Sequence, residues 1–236
     1  GKNNSSITVE LFQHAFKQPS VVAKILGKGP QSDELVILGA HEDSINLWGN
    51  LIDVEDKRAP GADDDASGVA TLLETFRVIV ESGFQPNRTL VFMTYAGEEV
   101  GLLGSLDIAK NYKGQNKKIA GVLQFDMTMF PGTSHKLTFI NDHVDTKLTK
   151  FVEGLVDQYI KVPWTESSCG YACSDHASWT RYGYPSAFPF EAPFDEYNKK
   201  IHTSGDTLDN NLDILFGSYF AKLSLAFAVE LAQAGL

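Results

Sequence analysis

Cysteine, methionine and tryptophan are scarce in this chain: two, three and three among 236 residues. So few cysteines cannot form a thiolate-rich structural zinc site, which takes four nitrogen or sulfur ligands, nor a disulfide-dense scaffold. Cys169 and Cys173 stand in Cys-Gly-Tyr-Ala-Cys, and their spacing differs from the Cys-x-x-Cys of a redox dithiol. The short loop between them contains Gly170, so a disulfide is sterically allowed and would suit an exported protein. The alternative is a pair of free, buried thiols in a cytosolic one. Positive charge is also in short supply. Twenty Lys and Arg against thirty Asp and Glu leave a net charge of −10, which argues against nucleic acid or an anionic membrane as partner. Part of the acidic excess can be metal ligands, whose charge a bound ion would cancel. No uninterrupted apolar run approaches the roughly 20 residues needed to cross a bilayer. Residues 1–6 carry no hydrophobic region of a signal peptide, so a mature or engineered start is expected, with some disorder there.

What is present suits a folded enzyme-sized unit. At 43% apolar and 21% charged, the chain can bury a sizeable core, and residues 1–236 are expected to form one large α/β domain. Residues 7–11 and 21–26 read as strands, antiparallel neighbours, and Leu35-Val36-Ile37-Leu38-Gly39 as a buried strand. A loop over 45–66 follows, with Gly49, Pro60 and Gly61 and acids at Glu55, Asp63, Asp64 and Asp65. Apolar residues at Val69, Leu72, Leu73, Phe76, Ile79 and Val80 predict a helix over 67–81, with Ser67 as its N-cap. Further strands are expected at 88–94, 119–125, 137–141 and 186–191. Helices are expected at 104–112, 146–160, 175–182 and 212–232. This alternation predicts a mixed, mostly parallel central sheet with helices on both faces, whose ligand site lies past the carboxyl ends of the strands.

His41, the pair Glu98 and Glu99, and Asp126 all follow candidate strand ends. Adjacent residues on a strand or tight turn point different ways, so Glu98 and Glu99 are expected to do different jobs, one facing a metal and the other a substrate. Five candidate metal ligands emerge: His41, Asp64, Glu99, Asp126 and His202. Two imidazoles and three carboxylates suit zinc, cobalt or manganese. One bridging carboxylate would let them serve two ions roughly 3.5–4 Å apart, each keeping an open position. Asp43 is placed to hold the second ring nitrogen of His41, and Glu98 stays free as a general base. Each of these residues alone has an ordinary reading as a core histidine, a solvated turn or charge at a helix start. Their local contexts change that: Gly-Ala-His-x-Asp-Ser, Pro-Gly-Ala-Asp-Asp-Asp-Ala-Ser-Gly, Tyr-Ala-x-Glu-Glu-Val-Gly, Gln-Phe-Asp-Met and Ile-His-Thr-x-x-Asp-Thr occur in that order.

This ordered set resembles the co-catalytic dizinc aminopeptidases of peptidase family M28, most of all the secreted bacterial leucyl aminopeptidases of the Vibrio (Aeromonas) type. The likeness runs from about Gly39 to near the C-terminus. Residues 169–179, Cys-Gly-Tyr-Ala-Cys-Ser-Asp-His-Ala-Ser-Trp, add to it. The resemblance implies two zinc ions per chain, bridged by Asp64. Glu99 and His202 would complete one ion's shell and His41 and Asp126 the other's, with Asp43 orienting His41 and Glu98 as base and acid. The choice of Asp64 over Asp63 or Asp65 comes from this match. So does an expected cis peptide at Asp64–Asp65 and the pairing of Cys169 with Cys173. Relatives of this type carry more helical sequence before the first strand, so a short or truncated form is expected.

The implied reaction is hydrolysis of the first peptide bond, with the substrate's free α-amino group held at the site and the Tyr171 hydroxyl assisting the oxyanion. Met127, Ile140, Phe188, Phe190, Phe194, Tyr197 and Ile201 are candidates for an apolar pocket, with plain core packing as the alternative. That lining favours leucine, methionine or phenylalanine as the first residue. A charged one would be desolvated without a partner. The expected partners are peptide and protein N-termini, with no nucleic acid and no membrane, for a monomer in a secreted or periplasmic location. Two other readings share the fold: a single-zinc glutaminyl cyclase-like acyltransferase and a non-catalytic peptidase-like binding domain. Asn3, Asn4 and Asn87 stand in Asn-x-Ser/Thr sequons.

Overall fold

Eight strands form one mixed sheet in the order β1-β2-β4-β3-β5-β8-β6-β7. They are β1 (Ile7–Phe12), β2 (Ser20–Ile25), β3 (Glu34–His41), β4 (Thr89–Tyr95), β5 (Lys118–Gln124), β6 (Leu137–Ile140), β7 (Trp164–Ser167) and β8 (Ser186–Phe190). The computed structural model describes residues 6–47 and 57–233. Glu55, Gly49, the expected disorder at the start and the sequons at Asn3 and Asn4 lie outside that range. The central strands β4, β3, β5 and β8 are parallel to one another; β1, β2 and β6 pair antiparallel with β2, β4 and β8, respectively.

Helices cover both faces, and the central strands show why. In β3, Val36, Leu38 and Ala40 face one apolar cluster while Ile37 faces another; in β4, Leu90 and Phe92 oppose Val91, Met93 and Tyr95 in the same way. The first cluster is closed by α1 (Ala66–Ser82), α3 (Thr146–Leu155) and α5 (Ile214–Gln233), and the second by α2 (Leu103–Gly114) and α4 (His176–Arg181). Strands buried on two faces need continuous apolar runs, which is what the sequence carries there.

Two local expectations are corrected, and two further features go beyond them. Helix α1 starts one residue earlier than expected, capped by Asp65, whose Oδ1 accepts from Gly68 N; the Ser67 hydroxyl instead donates to the Asp63 carbonyl. The helix expected to run to 160 ends its regular part at Leu155 and continues as a π turn, Val156–Ile160. Edge strand β7 has too few residues to announce itself by alternation. Finally, α5 has 20 residues and is long and apolar enough to cross a membrane by length and composition. Its Phe216, Phe220, Leu223, Phe227 and Leu231 are buried in the first cluster, so that face is used inside the fold.

Candidate metal centre

The ligand candidates converge because three adjacent parallel strands end together. Residue His41 closes β3 opposite Tyr95 of β4, and Phe125 N donates to the Gly39 carbonyl just past β5. His41, the Ala96–Glu99 turn and Asp126 therefore emerge side by side, at the carboxyl edge where such sheets bind ligands. Residues Asp63 to Asp65 reach the same edge at the start of α1. Gly68 permits that approach: a Cβ there would lie 2.4 Å from Asp65 Oδ1 and 2.7 Å from the Phe125 carbonyl. His202 comes from the long loop after β8, with left-handed backbone (φ 58°), and its carbonyl accepts from Leu47 N.

Asp64 sits between the two histidines. His41 Nε2 lies 2.9 Å from its Oδ1, and His202 Nε2 lies 2.9 Å from its Oδ2. Asp126 Oδ1 is 3.5 Å from His41 Nε2, and Glu99 Oε2 is 2.9 Å from His202 Nε2. The other two members of the triplet are committed elsewhere. Asp65 accepts from His41 N, Gly68 N and Met127 N. Asp63 accepts from Asn198 Nδ2 and Met129 N. Asp65 lies close enough to His41 and Asp126 to share an ion, all three donors falling within 4.8 Å. Both its oxygens nonetheless already accept from main-chain N–H groups, whereas those of Asp64 face the two imidazoles. The peptide bond between Asp64 and Asp65 is cis, as the resemblance implied.

A divalent cation fits these donors. His41 Nε2 and Glu99 Oε1 are buried and have no hydrogen-bond partner. His41 Nε2 is near two carboxylates yet aligned with neither for a hydrogen bond, as expected when donor atoms face a common point. Burial alone would lower the His41 pKa, but the Asp126, Asp43 and Asp64 carboxyls outweigh it and hold the ring well above its ordinary range. His202 is pushed up to about 10, first by its bonds to Asp64 and Glu99. Burial raises Glu98 and Glu99, with neighbouring carboxylates adding to the effect. So many acids facing one small volume, with Lys199 the one lysine or arginine among the lining residues, is a cation site by charge.

Asp43 holds the second ring nitrogen of His41 through its main chain. The His41 Nδ1 partner is the main-chain carbonyl of Asp43 at 3.0 Å, while the nearer carboxylate oxygen is 3.7 Å away. That carboxylate instead accepts from Glu98 N at 3.0 Å and Glu99 N at 3.2 Å, clamping the turn that carries both glutamates. Asp206, which stands in the Ile-His-Thr-x-x-Asp-Thr motif, was not assigned a role from sequence. It accepts from Asp63 N and Asp64 N. Ser174 donates to Asp126 Oδ2 at 2.6 Å. Both could have been suspected from their motifs, but only their long-range partners define what they hold.

A cleft of about 470 Å³ opens over these donors. Met127, Phe188, Phe190, Phe194, Tyr197 and Ile201 line it as expected, together with Glu98, Tyr171, Gly101, Leu102, Ala172 and Cys173. Ile140 does not. It is fully buried behind the wall, packed with Met127, Phe188 and Phe190. Tyr171 is 58% exposed at the rim, its ring edge-on to Phe194. Its loop is closed by the Cys169–Cys173 disulfide and anchored by Cys169 N and Gly170 N donating to Asp142.

Behind the apolar wall lies His176, fully buried against Phe188, with Nε2 bonded to the Asp142 carbonyl and Nδ1 without a partner. Burial lowers its pKa from 6.5 to about 4. As pH falls through 6.5 the unfolded chain gains a proton at this residue and the folded chain does not. Stability is therefore full above pH 6.5 and declines between 6.5 and 4, by up to about 3 kcal/mol from this group. Chemical denaturation of wild type and His176→Phe at pH 7 and 4.5 checks this. The variant is expected to lose less stability on acidification; equal losses would refute the assignment.

Comparison with known proteins follows the same lines. The model for "Peptidase family M28" matches residues 20–221. Leucine aminopeptidase 1 of Penicillium rubens is 43% identical over 244 residues, covering 99% of this chain and 61% of that protein. Leucine aminopeptidase 1 of Coccidioides posadasii is 42% identical over 247 residues, covering 100% and 61%. The crystal structure of the LapA aminopeptidase of Legionella pneumophila is similar with a TM-score of 0.86 at 36% identity, over 98% of this chain and 59% of that one. The chain thus spans 61% of the length of these curated relatives.

Proposed function

This chain belongs to peptidase family M28, and from that premise we propose that it is a metallo-aminopeptidase that removes large apolar residues from peptide N-termini using two zinc ions. The observation that carries the reading is the Asp64 carboxylate, with one oxygen 2.9 Å from His41 and the other 2.9 Å from His202. Asp64, Glu99 and His202 would hold one ion and Asp64, His41 and Asp126 the other. A pair of such ions supplies Lewis acidity at the scissile carbonyl and lowers the pKa of a water.

The residues of the chain do the rest. Glu98 takes a proton from the attacking water and returns it to the leaving amine nitrogen. The Asp43 clamp keeps Glu98 and Glu99 on one rigid turn while their side chains diverge. The Tyr171 hydroxyl, on a disulfide-closed loop, donates to the developing oxyanion. The acidic cleft accommodates the substrate's α-ammonium. Met127, Phe188, Phe190, Phe194, Tyr197 and Ile201 enclose the first side chain. A leucine gains there from burial, at roughly 25 cal/mol per Å² of apolar surface, whereas a charged side chain would lose its hydration. The Cys169–Cys173 disulfide supports residence in an oxidising compartment. We take the working form to be an exported monomer acting on peptides and protein N-termini.

A panel of aminoacyl-p-nitroanilides tests the specificity, with leucine, methionine and phenylalanine expected above arginine and glutamate by about 10²-fold or more in kcat/KM. A preference for arginine or glutamate would overturn it. Treatment with 1,10-phenanthroline should abolish turnover and zinc should restore it, which separates an enzyme from a binding domain. Close to two zinc ions per chain are expected; one ion and no turnover of aminoacyl substrates would favour the cyclase-like chemistry.

A further inference from the structure

The segment joining β1 to β2 reaches under the glutamate turn. His14 Nδ1 lies 2.9 Å from Asp107 Oδ2 on α2, and His14 Nε2 lies 2.8 Å from Ser20 Oγ at the start of β2. Ser20 Oγ accepts from Ala96 N at 3.0 Å, two residues before Glu98. A carboxylate can only accept, so His14 Nδ1 carries a proton and the chain of bonds runs from α2 to the turn without a gap. The His14 side chain is fully buried, while that of Asp107 is 46% exposed. The ring of His14 stacks on Phe16 at 4.7 Å between centroids and contacts Phe12 at 5.0 Å. Phe16 in turn lies beneath Gly97, where a Cβ would meet its Cζ at 3.4 Å. Gly104 closes the same corner, since a Cβ there would lie 2.3 Å from the Ala96 carbonyl.

Ser20, His14 and Asp107 share the atom pattern of a serine hydrolase triad, but Ser20 is completely buried and its oxygen is engaged by Ala96 N–H. A nucleophile must reach its substrate, so this triad has another use. Asp43 holds Glu98 N and Glu99 N, and Leu103 N and Gly104 N donate to the Gly97 and Ala96 carbonyls, which leaves the Ala96 N–H to Ser20 Oγ. We infer that His14 is a positioning residue: with Ser20 and Asp107 it forms a rear strut that fixes the Ala96–Gly97 end of the turn and so aims the Glu98 carboxylate. The reaction consequence rests on the aminopeptidase reading; the mechanical link does not.

Displacing a reacting group by a fraction of an ångström costs rate rather than binding. The strut therefore acts on kcat and leaves KM and metal content alone. Three variants test it in the zinc-loaded full chain: His14→Phe, Asp107→Ala and, as the conservative control, Asp107→Asn, whose amide oxygen still accepts from Nδ1. Asp107 is half exposed, so its variants fold even if His14→Phe does not. Two measurements are made on each, amide hydrogen exchange of residues 96–99 and the kinetics on leucine-p-nitroanilide. His14→Phe and Asp107→Ala are expected to speed exchange at Ala96 N and to lower kcat on the order of tenfold, with KM within about twofold and zinc unchanged. Asp107→Asn is expected to stay near wild type in both. Wild-type exchange rates in the two disruptive variants overturn the strut, as does an unchanged kcat where exchange is faster. If the wild type itself turns over no aminoacyl substrate, the aminopeptidase reading fails and the exchange rates alone decide the strut.

Discussion

Replacing Glu98 by Gln is expected to lower kcat by roughly 10²–10⁴ while zinc content and KM stay close to wild type. Glutamine keeps the size of the side chain but cannot take a proton. Glu98 lines the cleft beside Asp64, Glu99, Asp126 and His202, and none of its carboxylate oxygens is needed to hold the turn, which the Asp43 clamp secures through the backbone. Burial pushes the Glu98 carboxyl well above the usual range; His41 opposes that shift, and the Asp175, Asp126 and Asp64 carboxylates add to it. Cations held by the neighbouring donors would act the other way and favour an ionised base there. A base tuned upward by burial but kept ionised by neighbouring positive charge suits proton transfer near neutral pH. The control is Glu99→Gln, which is expected to weaken zinc binding because Glu99 Oε2 lies 2.9 Å from His202 Nε2 and its Oε1 has no other partner. Zinc analysis together with steady-state kinetics on both variants checks the pair. Loss of zinc in Glu98→Gln with retention in Glu99→Gln would mean the two roles are reversed.

The second large effect is expected at Asp64. Asp64→Asn removes one of the oxygens facing the two imidazoles and puts an N–H there instead. Zinc is expected to fall from about two per chain to one or fewer, and kcat by on the order of 10³-fold or more. Its neighbours make the comparison sharp. In Asp65→Asn one amide group must face a main-chain donor, either His41 N or the Gly68 and Met127 pair. That costs stability on the order of 1–3 kcal/mol and leaves zinc bound. Asp63→Asn disturbs the bonds from Asn198 and Met129 in the same manner. Metal analysis and chemical denaturation of the three variants separate the cases. Equal zinc loss in all three would show that the triplet acts as a unit and that the bridging role does not belong to Asp64 alone.

Much of the architecture was legible because its signals are local. Leu35 to Gly39 and Leu90 to Met93 are buried on both faces and so read as continuous apolar runs. The acids and histidines that follow such runs in parallel strands must emerge at one edge of the sheet. This brought His41, Glu99 and Asp126 together in expectation, as the structure does in space. The errors share a cause as well. Ser67 and Asp65 are both good N-cap residues by type, and the choice fell to Asp65, whose carboxylate also reaches His41 N on β3 and Met127 N past the end of β5. Ile140 and Phe188 are both large and apolar beside ligand segments, yet Ile140 on β6 lies a layer deeper. No alternation of residues along the chain distinguishes the wall of a cleft from the packing behind it.

The sequence by itself determined the composition of the site: two imidazoles, several carboxylates, glycines where backbone must pass close, and an order of motifs that points to peptidase family M28. It did so because donor chemistry belongs to residue type. The tertiary structure alone decided which carboxylate does which work. In the triplet, the answer depends on where the N–H groups of His41, Gly68, Met127 and Met129 and the amide of Asn198 fall. At Asp43 it depends on the Glu98 and Glu99 amides, 55 and 56 residues away. An oxygen that already accepts from main-chain donors has less to offer a cation than one that faces imidazoles, and that allocation is made between segments distant in sequence, so it exists only once the chain has folded.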